Sequence, residues 1–259
     1  MTNLVKEVSE KITEAHEAGE ATEFIRHQYT VDEKTAYAVQ DTVVSALSAA
    51  GQGELAGYKI SMTSAATQAI ANTHEPAYGT LLTSHLLKSG ETVSLSSLFS
   101  PLIETEIMFI LTEDLSAGAD EEEVLRKSKI AAGIEIPDSR YKDWFPNFSL
   151  ADLICDNTAV GRVVVSEPVD PPSFEELANI QMELFHNGAK ISEGTASAVL
   201  DNPASAVAWL SRKLAANGKA LTKGMVISSG TFISPLVAEE GTYTVKYSNL
   251  GQVEITFTA

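Results

Sequence analysis

Apolar residues recur every three to four positions in two stretches near the N-terminus. Leu4, Val8, Ile12 and Ala15 put one stripe on a helix running from residue 3 to about 19, where Gly19 is a natural stop. Ala36, Val39, Val43 and Leu47 do the same for a second helix from about Val31 to Gly51, with Asp32 or Thr30 as its cap. From Glu54 the pattern changes to short apolar runs broken by Gly, Pro and Ser. Strands are expected at Leu55–Ile60, Thr92–Leu95, Glu104–Leu111, Gly133–Ile136 and Val163–Val165. Further strands are expected at Ile180–Phe185, Met225–Ile227, Tyr243–Tyr247 and Val253–Phe257, the last two forming a hairpin around Ser248-Asn249-Leu250-Gly251. Helical spacing interrupts them at Asp120–Ala132, Pro203–Asn217 and briefly near Ser64–Asn72. The chain therefore reads as α+β: an N-terminal helical segment, 1–53, and a strand-rich body, 54–259. Some fifty residues of helix cannot bury a core of their own and should pack on the body or on another subunit.

A length of 259 residues, 44% apolar and 20% charged, suits one large domain, with or without an added helical segment. The charge changes the picture more. With 35 acidic against 18 basic residues the net charge is −17, so binding a nucleic acid would release no counterions in the chain's favour. No apolar run reaches the ~18 residues a membrane span needs. The N-terminal stretch lacks the apolar core of a secretion signal, and Cys155, the single cysteine, has no internal disulfide partner. A cytoplasmic protein that binds neither nucleic acid nor membrane is expected, with Cys155 a buried structural thiol rather than a nucleophile.

The chemistry concentrates in Pro101-Leu102-Ile103-Glu104-Thr105-Glu106-Ile107-Met108-Phe109-Ile110-Leu111. Side chains alternate along a strand, so Glu104 and Glu106 share a face with Met108 and Ile110. Two carboxylates on one apolar face repel each other and lose hydration. Cationic partners, a shared proton or a divalent cation would each compensate. Glu135, between Ile134 and Ile136, adds a third carboxylate in an apolar run. Three glutamates without a neighbouring His or Cys make an all-oxygen set, which suits Mg²⁺ or Mn²⁺ and argues against Zn²⁺. A solvated edge strand with its charges outward also satisfies the spacing.

Lys59, in Gly57-Tyr58-Lys59-Ile60, is a lone cation in an apolar run, where lysine is costly unless paired or functional. In so acidic a chain a small anionic substrate needs local positive charge, which Lys59, Arg140 and a divalent ion would supply. Lys59 could equally neutralise one glutamate, and Arg140 could equally form a structural link to Asp138. Glu121-Glu122-Glu123 fits the first turn of a helix. On their own, Asp156-Asn157 and Ser229-Gly230-Thr231 look like turns. There is no Gly-rich phosphate loop, no Gly-x-Ser-x-Gly and no Cys-x-x-Cys.

In order along the chain, Gly57-Tyr58-Lys59-Ile60-Ser61-Met62-Thr63-Ser64, Glu75-Pro76-Ala77-Tyr78-Gly79-Thr80-Leu81, Glu104-Thr105-Glu106, Glu135-Ile136-Pro137-Asp138-Ser139-Arg140 and Asp156-Asn157 form a recognisable set. With Pro203-Ala204-Ser205-Ala206-Val207-Ala208-Trp209-Leu210 and Ser229-Gly230, the chain resembles the 2-keto-4-pentenoate hydratase / 2-oxohex-3-enedioate (4-oxalocrotonate) decarboxylase family of the fumarylacetoacetate hydrolase superfamily. The resemblance implies a mixed β-roll and a homo-oligomer. It also implies a lyase of aromatic catabolism that acts on a small anionic 2-oxo acid through a dienolate. Glu104, Glu106 and Glu135 match the family's metal ligands for Mg²⁺ or Mn²⁺, and Lys59 matches its active-site lysine. Ser61, Tyr78, Arg140, Asp156 and Thr231 are carried over as substrate-binding positions. Where the hydratases usually have Asp and Ser, this chain has Ala77 and Ala159, which removes two polar groups relevant to water activation. Ala77 and Tyr141 look more like the decarboxylase branch, Lys142-Asp143-Trp144 and Ala206-Val207-Ala208-Trp209-Leu210 more like the hydratase branch. A hydratase is the leading expectation, a decarboxylase the alternative, and a non-catalytic metal-binding homologue the reading from another class.

Overall fold

The computed structural model describes residues 2–259. Helix α1 (Asn3–Ala18) is capped by Thr2 and ends at Gly19 in a left-handed conformation, φ 65°. Helix α2 (Glu33–Leu47) starts at Asp32, whose carboxylate accepts from the Thr35 N–H at 2.7 Å. Strand β1 (Leu55–Ser61), the short helix α3 (Ala65–Ile70), and strands β2 (Ala77–Leu82), β3 (Leu86–Lys88) and β4 (Thr92–Ser94) follow. The long strand β5 (Leu102–Leu111) leads through α4 (Glu121–Arg126) into β6 (Ser128–Ile136). A helical turn α5 (Trp144–Asn147), helix α6 (Leu150–Cys155), β7 (Arg162–Val165), α7 (Phe174–Ala178), β8 (Gln181–His186) and β9 (Ala189–Thr195) come next. Helix α8 (Pro203–Ala216), β10 (Val226–Ser228), β11 (Leu236–Val237), β12 (Gly241–Tyr247) and β13 (Gly251–Thr258) complete the chain.

The expected helix over Asp120–Ala132 is a correction. Only Glu121–Arg126 is helical, with Glu121, Glu122 and Glu123 in its first turn, and Ser128 onward is strand. Small residues (Ala131, Ala132, Gly133) hid the alternation there, and pairing with β5 over eight positions decides it. Strands β2, β3, β9 and β11 were not expected.

The strands form two mixed sheets. One runs β2-β1-β10-β5-β6-β7-β3, with β11 pairing the start of β5, and the other β4-β13-β12-β8-β9. The first sheet buries both faces. Ile103, Ile107, Phe109, Ile130, Ile134 and Ile136 point outward into a cluster shared with Val245, Val253 and Ile255 of the second sheet and with Val8, Ile12, Val39 and Val43 of α1 and α2. The inner face carries a second cluster of Leu81, Met108, Ala131, Val160, Val163 and Val226, so the sheet curls until residues of β2 and β7 share one small core. A Cβ on Gly133 would lie 2.3 Å from Met108 Cε, so that core needs glycine there. The N-terminal helices join the body through the Tyr37–Tyr78 ring stack, centroids 4.6 Å apart, and the Gln40 side-chain N–H to Tyr78 O at 2.9 Å. No helix is long and apolar enough to cross a membrane.

His85, buried beside the start of β3, accepts the Leu82 N–H on Nδ1 at 3.0 Å. Burial, and then the Arg162 and Arg140 charges, push its pKa from 6.5 down to about 3. The unfolded chain therefore takes up this proton first, and the histidine's contribution is lost as pH falls from about 6.5 toward 3. In His85→Asn, Oδ1 can take the place of Nδ1 and the titration disappears. Urea unfolding at stepped pH should show the wild type losing up to about 1.4 kcal/mol per pH unit more than this variant below pH 6.5. Parallel slopes would refute this.

Candidate active site

The alternation of β5 places Glu104 and Glu106 on the inner face, and the β5–β6 register sets Glu104 directly opposite Glu135. Ligand atoms of the three carboxylates lie within 4.8 Å of one another. Glu106 and Glu135 are buried and Glu104 is half-buried, so the charges do not sit on a solvated edge. Lys59 comes from β1, three strands from β6, and its Nζ lies 2.7 Å from Glu135 Oε1. It thus pairs with a glutamate, but one cation faces three carboxylates.

The surroundings treat the two oxygens of Glu106 differently. Its Oε2 accepts the Ser228 hydroxyl at 2.6 Å and the Gly230 N–H at 2.8 Å. Gly230 has φ 124°, and a Cβ there would meet Thr63 Oγ1 at 2.4 Å, so only glycine brings this N–H to the carboxylate. Glu106 Oε1 and Glu135 Oε2 are buried without a hydrogen-bond partner. The Tyr247 hydroxyl, from the second sheet, lies 2.8 Å from both Glu106 O and Gly133 O and braces the two ligand-bearing strands from behind.

Burial and then the Glu135 charge push Glu104 up to about 8, with Lys59 partly offsetting them. Burial, Glu135 and Glu104 drive Glu106 well above the ordinary carboxylate range, against the lowering hydrogen bonds from Ser228 and Gly230. Burial alone would lower the Lys59 ammonium, but Glu135, with Glu104 and Glu106 beyond it, outweighs burial and holds the ammonium above its usual value. The cluster lacks positive charge, and it has the means to accept some. Clustered oxygens, two of them buried and unpartnered, fit a hard divalent cation with Glu104, Glu106 and Glu135 as its holders.

Beside the carboxylates opens a cavity lined by Lys59, Ser61 and Glu104, by Thr63, Thr67, Thr158 and Thr231, and by an apolar wall of Ile70, Trp144, Phe145, Phe148, Leu153 and Ala159. Of the positions carried over for substrate, Ser61 and Thr231 line this cavity, whereas Tyr78, Arg140 and Asp156 do not. The Tyr78 ring lies against Tyr37, because Tyr78 pairs with Ile60 on the outward face of the sheet. Arg140 is spent internally. Its Nε meets Asp156 Oδ1 at 2.6 Å, Nη1 donates to Val160 O and Nη2 to Asp156 O, while Asp156 also accepts the Ser139 hydroxyl. Asp138 instead caps the Phe99 and Ser100 N–H groups, so the partner of Arg140 is Asp156. Asn157 holds Thr80 through both its N–H and its O, at 2.8 and 2.9 Å, and Thr158 bonds Tyr78 O at 2.6 Å. These bonds support three successive left-handed residues, Asn157, Thr158 and Ala159, which set Ala159 on the cavity wall. Cys155 is buried, and burial pushes its thiol up, away from nucleophilic use.

Ser228 and Tyr247, more than 120 residues from Glu106, carried no local signal, and Gly230 was marked only as part of a Ser229-Gly230 segment, not as a donor to Glu106. The aromatic wall did carry one: Trp144, Phe145 and Phe148 crowd into five residues of a segment otherwise read as loop.

No family model matches the chain. It is 36% identical over 208 residues to the 2-hydroxyhexa-2,4-dienoate hydratase of Comamonas testosteroni, covering 78% of each chain. It is 31% identical over 262 residues to a 2-keto-4-pentenoate hydratase of Burkholderia vietnamiensis, covering 99% of this chain and 98% of that one. Among solved structures it is similar to the 4-oxalocrotonate decarboxylase from Pseudomonas putida G7 complexed with magnesium and adipate. That match has a TM-score of 0.91 at 26% identity, over 100% of this chain and 99% of that one.

The unbalanced carboxylates lead to a test that needs no substrate. Millimolar Mg²⁺ should raise the melting temperature of the chelator-treated protein by several degrees, since ligand at 100 times its Kd stabilises by about 2.7 kcal/mol. In Glu106→Gln that shift should vanish while the metal-free melting temperature holds or rises. An equal shift in both proteins would sink the assignment.

Proposed function

The chain belongs to the 2-keto-4-pentenoate hydratase and 4-oxalocrotonate decarboxylase family of the fumarylacetoacetate hydrolase superfamily, whose mixed β-roll recurs in more distant solved members at TM-scores near 0.60, and from that premise we propose a divalent-metal-dependent hydro-lyase. Its substrate is a short 2-hydroxy-2,4-dienoate, 2-hydroxypenta-2,4-dienoate or a near relative. The observation that carries this reading is the buried Glu104–Glu106–Glu135 cluster, short of positive charge and open on one side to a cavity that also holds Lys59.

Mg²⁺ or Mn²⁺ held by the three glutamates would supply Lewis acidity to the substrate's carboxylate and 2-oxo oxygens. The protein's own groups do the rest. Lys59 Nζ, kept charged by Glu135, offers a hydrogen bond to the C2 oxygen, where negative charge develops as the dienol loses its proton. The Ser61 hydroxyl orients the substrate, and Thr231, whose own hydroxyl donates to Ile233 O at 2.9 Å, lines the site beside it. The packed aromatic wall limits the water that can enter, so a water added at C4 is a positioned one. Ketonisation moves the enol proton to C5 and leaves a 2-oxo-3-enoate. Water then adds across C3=C4, forming the C4–O bond and placing its proton on C3, with Lys59 as the nearest group able to move a proton.

Decarboxylation of 2-oxohex-3-enedioate is the second reading. It has in its favour the TM-score of 0.91 and the methyl groups of Ala77 and Ala159, which leave those positions without a group to activate water. Mg²⁺-loaded protein incubated separately with 2-hydroxypenta-2,4-dienoate and 2-oxohex-3-enedioate separates the two. Loss of dienol absorbance without CO₂ supports the hydratase, CO₂ from the diacid the decarboxylase. No turnover of either would leave a non-catalytic homologue.

Lys59→Met keeps most of the alkyl stem and deletes the charge. At saturating Mg²⁺ kcat should fall about 10²–10³-fold, the typical cost of one such donor, with the melting temperature nearly unchanged. Near-normal turnover would make the lysine a structural counter-ion.

We also propose assembly into a homo-oligomer, as the family resemblance implies. Light scattering should give a multiple of 27.7 kDa, and a monomer mass at working concentration would refute it.

A further inference from the structure

The cavity is chemically lopsided. Among the described residues, the only charged side chains lining it are Lys59 and Glu104, both at the carboxylate cluster, and Lys59 is already paired with Glu135. Ser61 lies on the same face of β1 as Lys59, and Thr63 lies against Gly230, the residue that holds Glu106, so these hydroxyls also belong to the charged end.

The rest of the lining is mostly rings and aliphatic chains. Trp144, Phe145 and Phe148 pack on one another with centroids 5.6, 6.0 and 6.4 Å apart, and Ile70 and Leu153 extend that surface. The polar groups near it are committed. The Trp144 indole N–H donates to Ser100 O at 2.9 Å, the Thr158 hydroxyl to Tyr78 O at 2.6 Å and the Thr67 hydroxyl to Ser64 O at 3.0 Å. A carboxylate placed against this wall would lose its water and find neither a cation nor a free donor, the situation in which burying a charge is most costly. An alkyl group there loses nothing and gains contact with three rings.

We propose that the substrate's far end is uncharged and apolar: the site takes a 2-hydroxy-2,4-dienoate ending in a vinyl or small alkyl group and rejects one ending in a second carboxylate. Ile70, Phe145 and Phe148 set the length of the tail. The inference rests on the hydro-lyase reading of this same site and narrows it. It also separates this chain from its structural neighbour, which was solved with the diacid adipate.

The experiment compares kcat/KM of the Mg²⁺-loaded full chain for 2-hydroxypenta-2,4-dienoate, 2-hydroxyhexa-2,4-dienoate and 2-hydroxyhexa-2,4-dienedioate, each followed by dienol absorbance with and without chelator. The two mono-acids should be turned over within about tenfold of each other, with the diacid at least about 10²-fold worse, the scale on which pocket mismatches discriminate. Ile70 is 37% exposed on a short helix, so Ile70→Arg adds a cation to the wall without burying it. This variant should lower the mono-acid to diacid ratio at least about tenfold. Phe148→Ala should instead raise kcat/KM for the longer mono-acid relative to the shorter. Comparable wild-type turnover of diacid and mono-acid overturns the inference and, if chelator abolishes both, leaves the metal-lyase reading standing. If nothing is turned over, calorimetry with the unreactive 2-oxopentanoate and 2-oxohexanedioate still decides. Equal or tighter binding of the diacid refutes the apolar end, and weaker binding supports it.

Discussion

The structure turns on an electrostatic deficit, three carboxylates against one ammonium on the buried inner face of a curled sheet. Each carboxylate loses hydration there, and Lys59 restores only part of the balance. Nearby features limit the damage without removing the cause. Ser228 and Gly230 saturate one oxygen of Glu106, and Tyr247 holds the strands in place through backbone carbonyls. No further cation lines the cavity among the described residues. An arrangement that leaves buried carboxylate oxygens unpartnered is unfavourable by itself and becomes favourable with a divalent ion among them.

A second buried charge group makes the contrast clear. Arg140 and Asp156 form a balanced pair in which the guanidinium and the carboxylate are surrounded by hydrogen bonds from within the chain. Each guanidinium nitrogen donates within the chain, and the pair ties the segment after β6 to the loop after α6. Burial is common to both groups. Saturation separates the group that braces the fold from the group that awaits a partner.

The same logic extends along the cavity. Its carboxylates have capacity to spare, whereas the Trp144, Thr158 and Thr67 donors of its lining each go to a backbone carbonyl. On the proposed reading, a ligand's oxygens go to the glutamates and its carbon to the aromatics. Ala159 belongs to this picture as a place where the cavity lining presents a methyl group, whereas Ala77 is buried and does not line the cavity.

Much of this was legible from one-dimensional pattern. The N-terminal helices, the last hairpin, and the face shared by Glu104, Glu106, Met108 and Ile110 follow from periods of 3.6 and 2, which are properties of local backbone geometry. So does the suspicion attached to Lys59, since a lone ammonium in an apolar run needs a partner. Which partner was a different matter. Strand order puts β10 and β5 between Lys59 and Glu135, a flat separation of about 14 Å at the usual inter-strand spacing, and only the curl of the sheet and two long side chains close it to an ion pair. Strand order also delivers Ser228 and Gly230 to Glu106, packing of the second sheet brings Tyr247 to Glu106 and Gly133, and the loops after β6 and α6 give Arg140 to Asp156 rather than Asp138. Local sequence determines the face on which a side chain emerges. Which chemical groups that face meets is decided by pairings between residues from 16 to 141 positions apart, whose energies depend on the packing of the whole sheet.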